Sequence, residues 1–541
     1  MTTDFQVLGV TTIVSLWLLW KVYSTCLRRK SHSLRSVAIL VLGDIGRSPR
    51  MMYHAESFAE LGFMTFLIGY GGSKPIPALE RLPKVQLRHL PEPPAVLKSI
   101  PFILAAPFKI LHQITAILAE LLVNIPEAPE YIMVQNPPSI PTLALVAIVG
   151  GLRGSKIIID WHNTGWSILA LKLRESHPFV QIAKWFEATF GRQAFAHLFV
   201  TEAMKEALVE EWDLQGTKVV LHDRPPRHFH RSSPQEKHDL FMRLRPELVK
   251  YRSLLSFLPK FDAPYSTPFT DTSSNPSTTQ LTFPEPVSPE TAISASTNTY
   301  AHDKDHPIPL NVSTYELVNP PTLRPDRPAL VVSSTSWTPD EDFGILLDAL
   351  KVYEARACEV NSRDDDGEKL PKVLVVVTGK GPERERYMNE VKELEKEWQW
   401  VRCISLWLEA EDYPVFLGSA DLGVCLHTSS SQLDLPMKVV DMFGCGVPVC
   451  ALNFKCLPEL VKHEQNGLTF ENAGQLSDQL ESLLLSFPRA PRLAALKASL
   501  EQATVKSHPP QRTKDVAWTW CSWDVNWDAT LKPIVMQGIR T

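Results

Sequence analysis

No two cysteines in this 541-residue chain are spaced as CxxC, although eight are present: Cys26, Cys358, Cys403, Cys425, Cys445, Cys450, Cys456 and Cys521. That spacing describes neither a zinc site nor a secreted disulfide framework. Stretches such as VRCISL and VPVCAL instead predict buried free thiols in a reduced, cytosol-facing protein. Neither sign of charge dominates: 55 Lys+Arg stand against 60 Asp+Glu, a net of −5. A nucleic-acid binder with its basic excess is therefore not expected. Glycine is scarce, 24 against 44 prolines, and the glycine-bearing loops complete neither GxGxxG nor GxxxxGK[ST]. A dinucleotide fingerprint and a P-loop are both unsupported. What the chain does have is apolar mass, 44% hydrophobic against 21% charged. At roughly 100–200 residues per domain, its length predicts two or three domains.

From Phe5 to Cys26 the chain reads FQVLGVTTIVSLWLLWKVYSTC, with Lys21 as the one charge. As a helix this stretch would span about 33 Å, close to the roughly 30 Å of bilayer hydrocarbon. Asp4 precedes it and no A-x-A site follows, which disfavours a cleaved signal peptide. Arg28, Arg29, Lys30 and Arg35 come directly after, so the positive-inside bias predicts a single-pass anchor with a lumenal N-terminus and a cytosolic body. A second apolar stretch, 99–122, reads either as an interfacial segment or as a core helix.

The body alternates strand-like and helix-like segments. VAILVL (37–42) is a continuous apolar run, and Ser48-Pro49 then starts a helix that Gly62 stops; FMTFLI follows as a second strand. YIMVQ, KIIID, LFVT and KVVLH continue the alternation to 222, and ALVVSS, KVLVVVTG, CISLW, DLGVCL and VPVCAL resume it from 329. Thr338-Pro339-Asp340-Glu341 reads as a capping box. The predicted division is an anchor with basic flank (1–35), a first doubly wound α/β domain (36–258), a Ser/Thr/Pro-rich disordered insertion (259–327), a second α/β domain (328–500) and a Trp-rich tail (501–541). The tail's tryptophans suit either a helix packed back on the first domain or an interfacial belt.

Four strand-end loops carry the chemistry, since open α/β sheets bind ligands there. Gly43, Gly46, Arg47 and Arg50 surround Asp44 in the first, which reads equally as an anion site or as a plain strand-to-helix turn. Asp160-Trp161-His162-Asn163 gathers a carboxylate, an imidazole and an amide. Gly379-Lys380-Gly381 places a lysine between glycines. The fourth runs from His427 through the hydroxyls around Ser430 to Asp434, Leu435, Pro436, Lys438 and Asp441. A helix starting near Asp434 would put Asp434, Lys438 and Asp441 on one face, with either a diphosphate-and-ribose site or an exposed salt bridge as the reading.

The layout of the fourth cluster resembles the sugar-nucleotide site of GT-B glycosyltransferases. The strings VLGDIGRSPRM, QNPPSIP, IIDWHN, SSTSWTPDEDF and LDLPMKVVDMFGCGVPV are similar to glycosyltransferase family 33, over nearly all of the body outside the insertion. The resemblance implies a two-domain GT-B fold and an inverting transfer of mannose from GDP-mannose to dolichol-linked chitobiose diphosphate. It places this β-1,4 transfer on the cytosolic face of the endoplasmic reticulum membrane, beside other lipid-linked oligosaccharide mannosyltransferases. It assigns Gly379, Lys380, Gly381, Ser430, Leu435, Pro436, Lys438 and Asp441 to the nucleotide sugar. Gly43, Gly46, Arg47 and Arg50 fall to the acceptor; for the base, Asp44 and His162 are the candidates because each follows a strand of the first domain, with Asp44 put ahead for its position. Two departures stand out: Leu433 occupies the place eight before Asp441 where many GT-B enzymes carry a glutamate, and Ser336-Trp337-Thr338-Pro339 replaces a usual basic pair. No DxD-like motif occupies the expected place, so no obligatory metal and no cofactor are expected. A retaining GT-B enzyme using another nucleotide sugar, and a non-catalytic scaffold of the same fold, remain the alternatives.

Overall fold

The computed structural model describes residues 32–94, 102–272, 320–338, 341–363, 368–428, 432–505 and 520–537. The segment expected to form the anchor (5–26) and Ser430 lie outside these. By contact, the chain divides into two compact units, one running to Arg231 and again from Ala329, the other Ser232–Pro328.

The first half of the larger unit is a seven-stranded sheet. Its strands are β1 (His32–Asp44), β2 (Met64–Tyr70), β3 (Val85–His89), β4 (Ala128–Asn136), β5 (Lys156–Trp161), β6 (Gln193–Phe199) and β7 (Gln215–Val220). They lie in the order β3-β2-β1-β4-β5-β6-β7, every neighbour parallel. Between them run α1 (Pro49–Glu60), α2 (Pro77–Arg81), α3 (Phe102–Ala119) with a wider turn Glu120–Asn124, α4 (Thr142–Arg153), α5 (Gly165–Leu173), α6 (Pro178–Gly191) and α7 (Glu202–Trp212). Ser48 and Pro49 open α1, and Gly62 closes it at φ +89°. The Ser48 hydroxyl donates back to the Asp44 carbonyl and accepts no hydrogen bond from the helix N–H groups.

The unit Ser232–Pro328 contains α8 (Pro234–Leu248), α9 (Arg252–Phe257) and a short antiparallel pair, β8 (Thr270–Asp271) with β9 (Thr322–Leu323). A capping box between Ser233 and Glu236 starts α8, and Phe241 packs on Phe269 with ring centroids 4.3 Å apart. Within the insertion expected at 259–327, the described ends carry the β8–β9 pair. Its Thr residues bond one another, as Thr267 does Thr270, where composition alone reads only low hydrophobicity.

The remaining half of the larger unit is a six-stranded sheet. Its strands are β10 (Ala329–Ser334), β11 (Val373–Thr378), β12 (Val401–Leu406), β13 (Leu422–Cys425), β14 (Val449–Leu452) and β15 (Gly467–Phe470). All are parallel, in the order β12-β11-β10-β13-β14-β15. The helices are α10 (Phe343–Asn361), α11 (Arg384–Leu394), α12 (Asp412–Ser419), α13 (Met437–Gly444), α14 (Ala473–Leu484), α15 (Pro491–Val505), α16 (Trp523–Thr530) and α17 (Lys532–Met536). Cys403 and Cys450 are buried free thiols. The proposed capping box does not form: Asp342 caps α10 by accepting from the Gly344 N–H, while Glu341 turns inward and is 3% exposed.

The tail packs back on the first sheet. Trp523 and Trp527 join the core shared by α1 and the strands. Both indole N–H groups find acceptors, Trp523 on Ser57 Oγ and Trp527 on His54 Nδ1, each at 3.0 Å. The opposite sheet face is covered by α3, α4, α6 and α7. Ala105–Asn124 has the length and composition to cross a membrane, but one side of it packs into that layer through Ala116, Ile117 and Leu121.

Candidate active site

In each sheet the strand order reverses, between β1 and β4 and between β10 and β13, which opens a crevice at the strand C-termini. A cavity of about 230 Å³ lies at the first of these, lined by Arg47, Arg50, Gln135, His162 and Asp223, and closed by Asp434, Leu435 and Met437 from the second half. Five residues singled out from sequence thus meet in one space: Arg47, Arg50, His162, Asp434 and Leu435.

Behind Arg50 and His162 of this lining stands Asp160, fully buried near the end of β5. Arg50 grips both carboxylate oxygens, Nε at 2.8 Å and Nη2 at 2.9 Å. Its remaining nitrogen donates to the Leu221 carbonyl and to Asp223, both at 2.8 Å. Burial by itself would raise the Asp160 pKa; Arg50, then His162 and His54, outweigh it and hold the group well below the usual carboxylate range. Arg50 is itself 3% exposed. The sequence reading offered Arg50 to an acceptor diphosphate, whereas here its donors are spent on two buried carboxylates and a carbonyl. Arg47 is different, with a side chain 81% exposed.

His162 sits 2.8 Å from Asp160 through Nε2, with its side chain 23% exposed. An ionised Asp160 only accepts, so Nε2 carries the hydrogen and the lone pair of the neutral ring is on Nδ1. The loop around it is braced from α6: the buried Glu187 accepts from the Gly165 and Trp166 N–H groups at the start of α5 and from Asn136. Sequence reading missed Glu187, because nothing local to it marks a helix start twenty residues away. Asn163 reaches across to Asp434 at 3.4 Å.

Asp44 is placed otherwise. It caps the turn Ile45–Arg47, accepting from Gly46 N–H at 3.0 Å. Its second oxygen accepts from the backbone N–H and hydroxyl of Ser73, at 2.9 and 2.8 Å. Burial raises its pKa, but the Ser73 and Gly46 hydrogen bonds and Arg47 prevail and lower it. Gly46 serves this same tie, since a Cβ there would fall 2.5 Å from the Ser73 carbonyl oxygen. Gly43 meets no such obstacle.

In the second half, α13 begins at Met437 with Pro436 as its cap, not near Asp434. Pro436 fixes that start, and Asp434 stays in the loop. Lys438 forms an ion pair with the buried Glu341, which also accepts from the Ser336 N–H at 2.6 Å and lies 3.6 Å from His427. Burial opposes ionisation of Glu341, yet hydrogen bonds from His427, Lys438 and Thr335 hold its pKa far down. Asp441, one turn further, is half-buried. Burial first, and the Asp223 charge second, push its pKa up to about 8. Gly379 and Gly381 let their loop touch the one after β10: a Cβ on either would lie 1.9 or 1.8 Å from the Thr335 or Ser336 carbonyl oxygen. Lys380 between them lies over the exposed Trp407 ring at 3.7 Å. Among the described residues, no group of three or more His, Cys, Asp or Glu side chains is placed to hold a metal ion.

Glu459, also missed, ties the two halves together. Its carboxylate accepts from the Glu202 and Ala203 N–H groups at the start of α7, at 2.7 and 2.9 Å, and from His222. A carboxylate at a helix N-terminus is a favourable contact, but its donors lie over two hundred residues away in sequence.

Two doubly wound parallel sheets, with a ligand-sized crevice lined from both, define a GT-B glycosyltransferase. Residues 46–223 match the glycosyl transferase 4-like domain and residues 344–486 the glycosyl transferases group 1 family. The chain is 41% identical over 512 residues to the chitobiosyldiphosphodolichol beta-mannosyltransferase of Homo sapiens, covering 94% of each. It is 36% identical over 521 residues to the protein of that name from Dictyostelium discoideum, covering 93% of this chain and 94% of that one. UDP-glycosyltransferase TURAN of Arabidopsis thaliana is 37% identical over 515 residues, with 93% and 97% covered. Among solved structures, sucrose-phosphate synthase from Thermosynechococcus elongatus shares the fold, with a TM-score of 0.50 at 12% identity over 93% of this chain and 97% of that one. The chain belongs to the chitobiosyldiphosphodolichol beta-mannosyltransferase family.

Proposed function

We propose that this protein transfers mannose from GDP-mannose to chitobiosyl-diphosphodolichol with inversion, at the cytosolic face of the endoplasmic reticulum membrane. The observation that carries the chemistry is His162, oriented by an ionised Asp160 in a cavity that also receives the loop before α13. The acceptor hydroxyl oxygen attacks the anomeric carbon, the bond from that carbon to the GDP oxygen breaks, and His162 Nδ1 takes the hydroxyl proton. His162 is a better base than Asp44, because both Asp44 oxygens already accept hydrogen bonds. Arg50 is a positioning residue for Asp160, and Arg47, with Gly43 beside it, faces the acceptor diphosphate. On the donor side, the free N–H groups at the start of α13 suit the leaving diphosphate. Lys438, Lys380, Leu435 and Pro436 border that site, and Asp441 holds the ribose hydroxyls.

Turnover of a synthetic chitobiosyl-diphosphate lipid with GDP-mannose tests this, with the anomeric configuration of the product read by NMR. A β-linked mannoside is expected. An α-linked product overturns inversion, and no product overturns the function. The name of the Arabidopsis relative, a UDP-glycosyltransferase, motivates a second arm with UDP-sugars, in which turnover above that with GDP-mannose would replace the donor. For the location, protease added to sealed microsomes should digest the body from outside; full protection, or glycosylation at Asn311, would place it in the lumen.

A further inference from the structure

Most polar side chains lining the cavity beside His162 already have partners. Arg50 holds Asp160 and Asp223, the Ser48 hydroxyl donates to the Asp44 carbonyl, and Asp434 accepts from Asn163. Gln135 lines the same cavity and differs. Its Oε1 is buried and, among the described residues, has no hydrogen-bond partner. An unmet buried acceptor costs free energy, so a folded chain that keeps one calls for a reason.

The sheet shows which way this amide faces. β4 is apolar and buried from Tyr131 to Val134, then ends in Gln135 and Asn136. Successive strand residues alternate between the two faces. Asn136 takes one face, where its amide donates to Glu187 of α6. Gln135 takes the other, the face on which Tyr131 and Met133 share a core with α1. Its register partner on β5 is Asp160. One strand spacing, about 4.8 Å, therefore separates the backbone of Gln135 from that of the carboxylate orienting His162. Amide and imidazole open onto one cavity from neighbouring strands.

We propose that Gln135 is a specificity-determining residue for the acceptor, reading the C3 hydroxyl of its terminal N-acetylglucosamine. This rests on the mannosyl-transfer reading, in which the adjacent C4 hydroxyl gives its proton to His162 Nδ1. A sugar hydroxyl carries a hydrogen to donate, and donation to Oε1 supplies the bond that the buried amide lacks. The C3 hydroxyl is fixed to the ring beside C4. The C6 hydroxyl swings about an exocyclic bond, and the acetamido group lies one carbon further away. Holding C3 on β4 while C4 faces His162 fixes the rotation of the ring, which selects C4 as the attacking position. Gln135 itself exchanges no proton.

The test compares two acceptors, the chitobiosyl-diphosphate lipid and its analogue lacking the terminal C3 hydroxyl. Each is turned over with GDP-mannose by the native protein, Gln135→Met and Gln135→Leu. The native protein should favour the full acceptor by roughly 5- to 150-fold in kcat/KM. In the variants that ratio should fall to near one, with KM for GDP-mannose kept. Because Oε1 gives up no hydrogen bond within the protein, the variants should melt no lower than the native chain, and either one that does so decides. Equal turnover of the two acceptors by the native protein overturns the proposal, as does an unchanged preference in a folded variant. A raised KM for GDP-mannose with the acceptor preference kept puts Gln135 on the donor and also overturns it. A lowered melting temperature in both variants assigns the amide to folding instead. If the native protein makes no product from either acceptor, the mannosyl-transfer reading itself fails, and this proposal fails with it.

Discussion

Asp160 and His162 are two residues apart and joined at 2.8 Å, yet their relationship is set from outside the loop by Arg50, 110 residues away in sequence. The guanidinium keeps Asp160 ionised, and ionised Asp160 dictates which ring nitrogen of His162 holds the hydrogen. For the proposed base this predicts a loss of about 10²–10⁴ in turnover for His162→Ala, with donor binding nearly preserved. Asp44→Asn should fall far less in the same single-turnover experiment at saturating substrates. If Asp44→Asn falls as far while its melting temperature holds, the order of the two candidates is reversed.

Asp160→Asn should be costly in a different way. It leaves the Arg50 charge, whose side chain is 4% exposed, with Asp223 as its one remaining carboxylate, and breaking a buried pair from one side costs about 3–5 kcal/mol. Because the folded pKa of Asp160 lies below its unfolded value, its contribution is present above the unfolded pKa and is lost as pH falls through the folded one. Urea unfolding at neutral pH should show the full loss, and the gap between variant and native protein should narrow only in strong acid.

Asp441 should behave with the opposite sign. With its pKa pushed up to about 8, the folded state binds the proton more tightly than the unfolded chain. Stability therefore drops as pH rises from the ordinary carboxylate range toward 8. Asp441→Asn should flatten that decline, measured as melting temperature between about pH 5 and about pH 8. Above about pH 8, where its carboxyl is ionised, Asp441→Ala should weaken GDP-mannose binding by roughly 10- to 150-fold, the loss of a charge-assisted hydrogen bond worth about 1.5–3 kcal/mol. Unchanged affinity by calorimetry would remove Asp441 from the donor site.

Lys438→Ala should destabilise the second half by about 1.5–3 kcal/mol, since Glu341 stays buried without its cation. Adding Glu341→Gln should recover part of the loss, and a double-mutant cycle in denaturant would read the coupling. If the two losses simply add, the pair contributes nothing to folding and Lys438 is free for the donor.

Strands were legible wherever helices cover both sheet faces, because such strands must be apolar throughout. ALVVSS and β10 are the same six residues, every one buried. β3 (VQLRH) escaped notice because it is a sheet-edge strand with no buried residue, and its composition follows. β15 is also an edge strand, and its four residues are too short a run to register. The strand-end positions of Asp44, His162 and Lys380 followed from that alternation alone. What each does was decided by partners remote in the chain. Arg50 is claimed by Asp160 and Asp223, Asp44 by Ser73, and Glu341 by Lys438 instead of by the helix start its sequence context suggests. The tail tryptophans suited a membrane interface as well as a core until Ser57 and His54 supplied acceptors for their N–H groups. Hydrophobic periodicity is written locally because burial against a sheet repeats along each element. The pairing of buried charges and donors depends on which distant loops the sheet order brings together, and only the folded chain determines that.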